Sequence, residues 1–174
     1  MLDVGGGFPV AHPDAEAPPL GAFFAVIAAA HAGAAHLVQA RLWAEPGRAL
    51  VAEVGFVVVQ VQARCCDALS VDDGVYGSLP DAGVPAFRFP VRALRASAAP
   101  LCDFAFFGPT CDSAEHRMAE PFALPSDVAA VGRIEIGQRG ACGATRCTVF
   151  DGFDRAHLVE VADRPLLATP GLDD

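Results

Sequence analysis

The chain has 174 residues, a formal net charge of −9 and an isoelectric point near 4.8. That balance excludes a module that grips nucleic acid through basic patches, and it supplies no polybasic segment for a membrane surface. A hydrophobic fraction of 53% and a mean hydropathy of +0.37 demand extensive burial, within the chain or against a partner.

Residues 1–4 read as the end of a strand, and Gly5, Gly6 and Gly7 as the loop that leaves it. Glycines let backbone N–H groups approach an anion, although a plain tight turn has the same composition. The segment "AHPDAEAPPL" is a polar, Pro-rich connection, and a helix is predicted from Leu20 to Arg41 with Pro18 and Pro19 at its start. Its Gly21–Val38 stretch has the length of a membrane span. Asp14 and Glu16 precede it with no basic residue, and His31 and His36 interrupt it. It therefore reads as a buried amphipathic helix, with Phe23, Phe24, Ile27 and Val38 toward a core. "RLWAEPGRALVAEVG" follows as a short strand, a turn and a short helix from Pro46. Residues 1–53 thus form two β-α units.

From residue 54 the pattern becomes β. "FVVVQVQARCC" sets Val59, Val61 and Ala63 against Gln60, Gln62 and Arg64. Further strands are expected at Ala86–Leu94, Asp103–Phe107, Arg133–Ile136, Arg146–Phe150 and Leu158–Val161. Residues 54–174 read as an all-β sandwich or Greek-key barrel. The six cysteines form no CxxC and no metal-like spacing with histidine, and no secretory signal is evident. Reduced thiols and a cytoplasmic location are expected.

Four further motifs can carry chemistry. In "EPGR", Glu45 ends a strand and Arg48 sits in the first turn of a helix, an arrangement for a phosphate or equally for a capped helix with a surface arginine. "DDGVYGSLPDAG" is a turn, a short segment and a second turn, with Asp81 as its candidate. "FFGPTCDSAEH" delivers Cys111 and Asp112 together at a Gly-Pro turn, where a thiol and a carboxylate act as acid, nucleophile or amine ligand, or are simply part of a turn. "GRIEIGQRGACGATRCTVFDGF" is read as strand, loop and strand.

"LDVGGGFP", "EPGR", "DDGVYGSLPDAG", "FFGPTCDSAE" and "GACGATRCTVFDGF", in this order, resemble the C-terminal half of the fold-type-III, pyridoxal-phosphate-dependent decarboxylases, in particular the ornithine/lysine decarboxylases. The resemblance implies an α+β fold: the last βα units of a TIM-type (β/α)8 barrel over 1–53, then an all-β C-terminal domain over 54–174. It implies pyridoxal 5′-phosphate as cofactor, with Gly5, Gly6, Gly7 and Arg48 on the phosphate and Glu45 on the pyridine nitrogen. Cys111 would return a proton to the substrate Cα, and Asp112 and Asp81 would hold the distal amine of ornithine or lysine. The Cys-Asp loop of one subunit reaches the site of the other in such enzymes, so a homodimer, or association with a barrel-containing partner, is implied.

Three departures accompany the resemblance. Cys142 stands at the position of the family tyrosine that touches the phosphate, Asp151 stands where asparagine is usual, and Glu115 where aspartate is usual. All 12 basic residues are arginine, so the chain has no lysine for a Schiff base. It is expected to be a truncated C-terminal portion that does not decarboxylate alone, and to associate through exposed strand edges. A non-catalytic homologue that binds or regulates a full-length decarboxylase, or a plain β-domain binding module, are the competing readings.

Overall fold

The computed structural model describes residues 1–13, 15–37, 39–84, 88–113, 118, 120–153 and 156–171. Strand β1 (Leu2–Asp3) leads through helix α1 (Leu20–Gly33) to strand β2 (Leu42–Trp43), which lies parallel to β1 with Leu2 opposite Leu42 and Asp3 opposite Trp43. Helix α2 (Gly47–Val51) and a 3-10 turn (Ala52–Val54) follow. Pro46 precedes the first helical residue, where its missing N–H costs nothing.

The β part is one six-stranded sheet: β3 (Val57–Cys65), β4 (Ala68–Val71), β5 (Val91–Ala93), β6 (Leu101–Phe107), β7 (Phe122–Pro125) and β8 (Arg133–Ile136), in the spatial order β5-β8-β3-β4-β6-β7. All pairings are antiparallel except β4 with β6, which is parallel with Leu69 opposite Phe106. The edge strands β5 and β7 lie against each other, so the sheet nearly closes into a barrel. Its interior holds Val59 and Val61 from β3, Leu69 and Val71 from β4, Phe104 and Phe106 from β6, Phe122 from β7 and Ile134 and Ile136 from β8. The alternation read in β3 places Val59 and Val61 inside, but Ala63 is exposed because the strand runs past the end of the core. A short helical turn, α3 (Gly143–Arg146), and a 3-10 turn (Phe150–Gly152) complete the elements.

Several sequence expectations are corrected. The first helix ends at Gly33, well short of Arg41, since glycine is the residue best suited to leave a helix. No residue of α1 is buried: Phe23 and Ile27 are half-covered and Phe24 is exposed, so the helix is apolar around its circumference rather than amphipathic. Val38 lies outside the described residues. The expected strand at Ala86–Leu94 shrinks to Val91–Ala93, with residues 86 and 87 outside the described set. Arg146–Phe150 is not a strand but the end of a helical turn leading into a 3-10 turn, and Leu158–Val161 is extended without a sheet partner and exposed. In both segments the valines that suggested strands face solvent, with Val149 and Val159 more than three-quarters exposed. Strands β4 and β7 were not anticipated.

Candidate functional site

The parallel pair builds the first wall. Leu2 N donates to Arg41 O at 2.8 Å and Val4 N to Trp43 O at 3.0 Å, so both strands end at the same edge. Beyond that edge Gly5 and Gly7 take φ of 71° and 83°, open to glycine at little cost. Gly6 lies hard against the segment that follows β2, since a Cβ there would sit 2.7 Å from the Glu45 carbonyl oxygen. Glu45 N closes the contact by donating to Gly5 O at 2.8 Å. The glycine loop and Glu45, 40 residues apart, are thus one surface, and Arg48 leaves it from the first turn of α2. The Gly5 N–H donates to Asp3 Oδ1 at 2.8 Å.

The second wall comes from the loops of the sheet. Asp81 is buried and takes two guanidinium groups, Arg48 Nη2 on Oδ2 at 2.6 Å and Arg146 Nη1 on Oδ1 at 3.1 Å. The carboxylate that the resemblance assigns to a distal amine is therefore an ionic bridge between the first wall and α3. The "DGVYGS" motif is a turn wound around Asp73, whose Oδ1 accepts from Gly74 N at 2.7 Å and Ser78 N at 2.8 Å. Burial raises the Asp73 carboxyl above the usual aspartate range, and those N–H groups oppose the shift. Cys142 adopts the left-handed conformation with φ of 64° and its thiol is exposed.

Cys111 and Asp112 lie on the loop that leaves β6, with Cys111 exposed and Asp112 half-buried. Asp112 N donates to Thr110 Oγ1 at 3.4 Å. Glu115 lies outside the described residues. The structure joins Gly5–Gly7, Glu45, Arg48 and Asp81 in one chain of contacts.

Two residues of this region escaped the sequence reading. Arg139 is buried, donates through Nη2 to Ser78 O and lies over the Phe89 ring at 4.4 Å. Burial lowers its pKa to about 10. Gln138 is also buried, and its Nε2 donates to Ala11 O at 2.7 Å while its Oε1 accepts from His12 Nδ1 at 2.8 Å. These contacts clasp the Pro-rich connection to the sheet. The available sequence signal was the pair of glycines, Gly137 and Gly140, that flanks Gln138 and Arg139 and lets the loop press against other backbone.

Burial lowers the His12 pKa, with the Gln138 hydrogen bond opposing it. Above the model-peptide value of 6.5, His12 is neutral in both folded and unfolded chains. As pH falls below 6.5 the unfolded chain takes up a proton that the folded chain resists, so stability declines through that window. The decline in melting temperature between pH 7 and pH 5.5 is expected to be smaller in His12→Asn, which keeps an amide donor without titrating. Equal pH slopes for the two proteins would remove His12 as the cause.

Among the described residues, no group of three His, Cys, Asp or Glu side chains is placed to hold a metal ion, and no helix is long and apolar enough to cross a membrane. No protein-family model matches the chain, and no curated protein matches it. Solved structures do. It superposes on a lysine/ornithine decarboxylase from Vibrio vulnificus, determined with cadaverine, at a TM-score of 0.71 and 30% identity, over 92% of this chain and 44% of that one. A diaminopimelate decarboxylase gives 0.70 and 26% over 86% of this chain and 39% of that one. The lysine decarboxylase from Selenomonas ruminantium shares the fold, at 0.70 and 23% over 94% and 42%. The chain spans less than half the length of each.

Proposed function

This chain belongs with the fold-type-III pyridoxal-phosphate-dependent decarboxylases and corresponds to their C-terminal part; from that premise we propose that it supplies the phosphate wall and the thiol–carboxylate loop of an enzyme acting on a diamino acid of ornithine or lysine type. The observation that carries the reading is the contact of the Gly5–Gly7 loop with Glu45 at the edge where two parallel strands end, with Arg48 beside it. The Vibrio vulnificus enzyme's cadaverine and putrescine complexes support a diamine-forming substrate.

The residues present fit the phosphate and pyridine ends of the cofactor. Gly6 and Gly7 offer backbone N–H groups, Arg48 a guanidinium fork, and Glu45 a carboxylate for a protonated ring nitrogen. When bound, pyridoxal phosphate supplies the electron sink for loss of carbon dioxide. Cys111 holds the proton that is returned to the substrate Cα, and Asp112 pairs with the distal ammonium. Asp81 serves the same amine, exchanging its guanidinium partners for it. In a homodimer the Cys111–Asp112 loop serves the partner's site. The 174 residues contain no lysine, so the amine that would hold the cofactor aldehyde is not in this sequence, and this chain by itself binds without decarboxylating. That same absence supports a second reading, a non-catalytic partner of a full-length decarboxylase.

Trp43 is the sole tryptophan and lies two residues before Glu45, so its fluorescence reports on the site. Pyridoxine 5′-phosphate, which lacks the aldehyde, is expected to quench it saturably, with at least tenfold weaker binding in Arg48→Gln, whereas pyridoxine is expected to bind weakly to both. Absence of saturable quenching would sink the cofactor reading. Release of carbon dioxide from ornithine or lysine by the purified chain with pyridoxal phosphate would sink the claim that it binds without reacting. Co-elution with full-length lysine/ornithine decarboxylase would favour the second reading.

A further inference from the structure

We propose that Arg139 is a phosphate-binding residue, forming with Arg48 and Arg146 a three-guanidinium site for a phosphate monoester. The identity of that ester as the cofactor rests on the reading above, whereas the anion site itself does not.

Arg139 is 6% exposed, and its Nε and Nη1 atoms are buried without a hydrogen-bond partner among the described residues. A guanidinium carries five N–H donors and no way to shed its charge near neutral pH. Leaving two of its nitrogens dry and unmatched is costly unless an acceptor arrives. The Phe89 ring and the Ser78 carbonyl accommodate the side chain but do not neutralise it.

The charges around it point to an anion. Arg139 interacts electrostatically with Asp81, Arg48 and Asp73, while Arg48 and Arg146 share the two oxygens of Asp81. Three cations therefore face two carboxylates, one of which, Asp73, is already engaged by its own turn and held toward its neutral form by burial. A chain of net charge −9 has gathered a positive excess at one point. That point adjoins the first wall through Arg48, and guanidinium forks match the geometry of phosphate oxygens.

The test uses the full chain and two probes, inorganic phosphate and pyridoxine 5′-phosphate, at constant ionic strength against chloride. Phosphate is expected to raise the wild-type melting temperature. Arg139→Met, which keeps the contact with Phe89, is expected to weaken both probes at least tenfold, and Arg139→Lys to recover part of the loss. Arg146→Gln, on a side chain more than half exposed, is expected to weaken both about threefold and keeps the test open if Arg139→Met does not fold. If pyridoxine phosphate binds wild type and the variants alike, Arg139 is not in the site and the cofactor reading stands. If inorganic phosphate alone binds and the variants lose it, the anion site stands and the cofactor reading fails. If neither probe binds wild type, both fail.

Discussion

Gly140→Ala is expected to lower the stability of the fold by about 3 kcal/mol, at the upper end of what overpacking costs. A Cβ at Gly140 would stand 1.7 Å from the carbonyl oxygen of Val51 and 3.0 Å from Val54 Cγ2. Backbone cannot swing aside as a side chain can. Gly140 N donates to Ala52 O at 2.9 Å and Arg139 N to Gly55 O at 2.7 Å, so the loop is pinned on both sides of the clash. Relief means moving the loop away from α2 and breaking those bonds. The same movement draws Arg139 away from Arg48, so phosphate binding is expected to weaken along with stability. Urea titration provides the measurement, with Gly21→Ala as control. Gly21 lies in α1 with nothing within 4 Å of a Cβ, and alanine there is expected to be neutral or to stabilise by up to about 1 kcal/mol. A Gly140→Ala protein as stable as wild type would mean that the loop and α2 are not held together as described.

Phe106→Ala is expected to cost about 3–5 kcal/mol, the range for removing a buried aromatic ring. Phe106 is fully buried on β6, opposite Leu69 of β4, and its ring lies 4.4 Å from that of Phe122 on β7. The substitution removes apolar area and one half of an aromatic pair, and the surrounding strands cannot collapse into the space without losing register. Phe106→Leu, which refills most of the volume, is expected to cost about 1.5 kcal/mol or less. Phe153→Ala, on a side chain 44% exposed, is expected to change stability by about 0.5 kcal/mol or less. The double variant Phe106→Ala with Phe122→Ala is expected to lose less than the sum of the single losses, because each removes part of the same contact.

What the sequence disclosed follows from where the information lies. β3 was legible because its nine residues are long enough to state a period, and β8 because "RIEI" alternates strictly between two glycines, Gly132 and Gly137, whereas "FALP" does not alternate. β4 and β7 were not: "ALSV" and "FALP" are four residues each, and the second ends in proline. β7 becomes a strand through pairing with β6, and β4 lies between its hairpin partner β3 and β6, so their partners rather than their own patterns make them strands. The stretches around Val149 and Val159 erred in the other direction, since β-branched residues without a partner strand stay exposed. At the candidate site, strand-end glycines and a helix start singled out Gly5–Gly7, Glu45 and Arg48, but those local signatures fit a plain turn and a capped helix as well, and only the order of the motifs favoured a cofactor. Arg139 could not be singled out. An arginine between glycines reads as solvated, and only Phe89, Ser78 and Gly55, distant along the chain, bury it. Asp81 was read as a ligand for an amine, and its two guanidinium partners come from residues 33 and 65 positions away.

The strand order also dictates a timetable. β3 is complete at residue 65, but its neighbour across Val57–Gln60 is β8, which begins at Arg133. During synthesis that edge of β3 must wait for some 70 residues to emerge, with only the hairpin to β4 able to form at once. Loop closure over such a span makes folding slow for a chain of this size, on the millisecond-to-second scale of non-local sheets. Chains stopped before residue 133 would carry an open, valine-rich edge, and they are the species from which aggregation should begin.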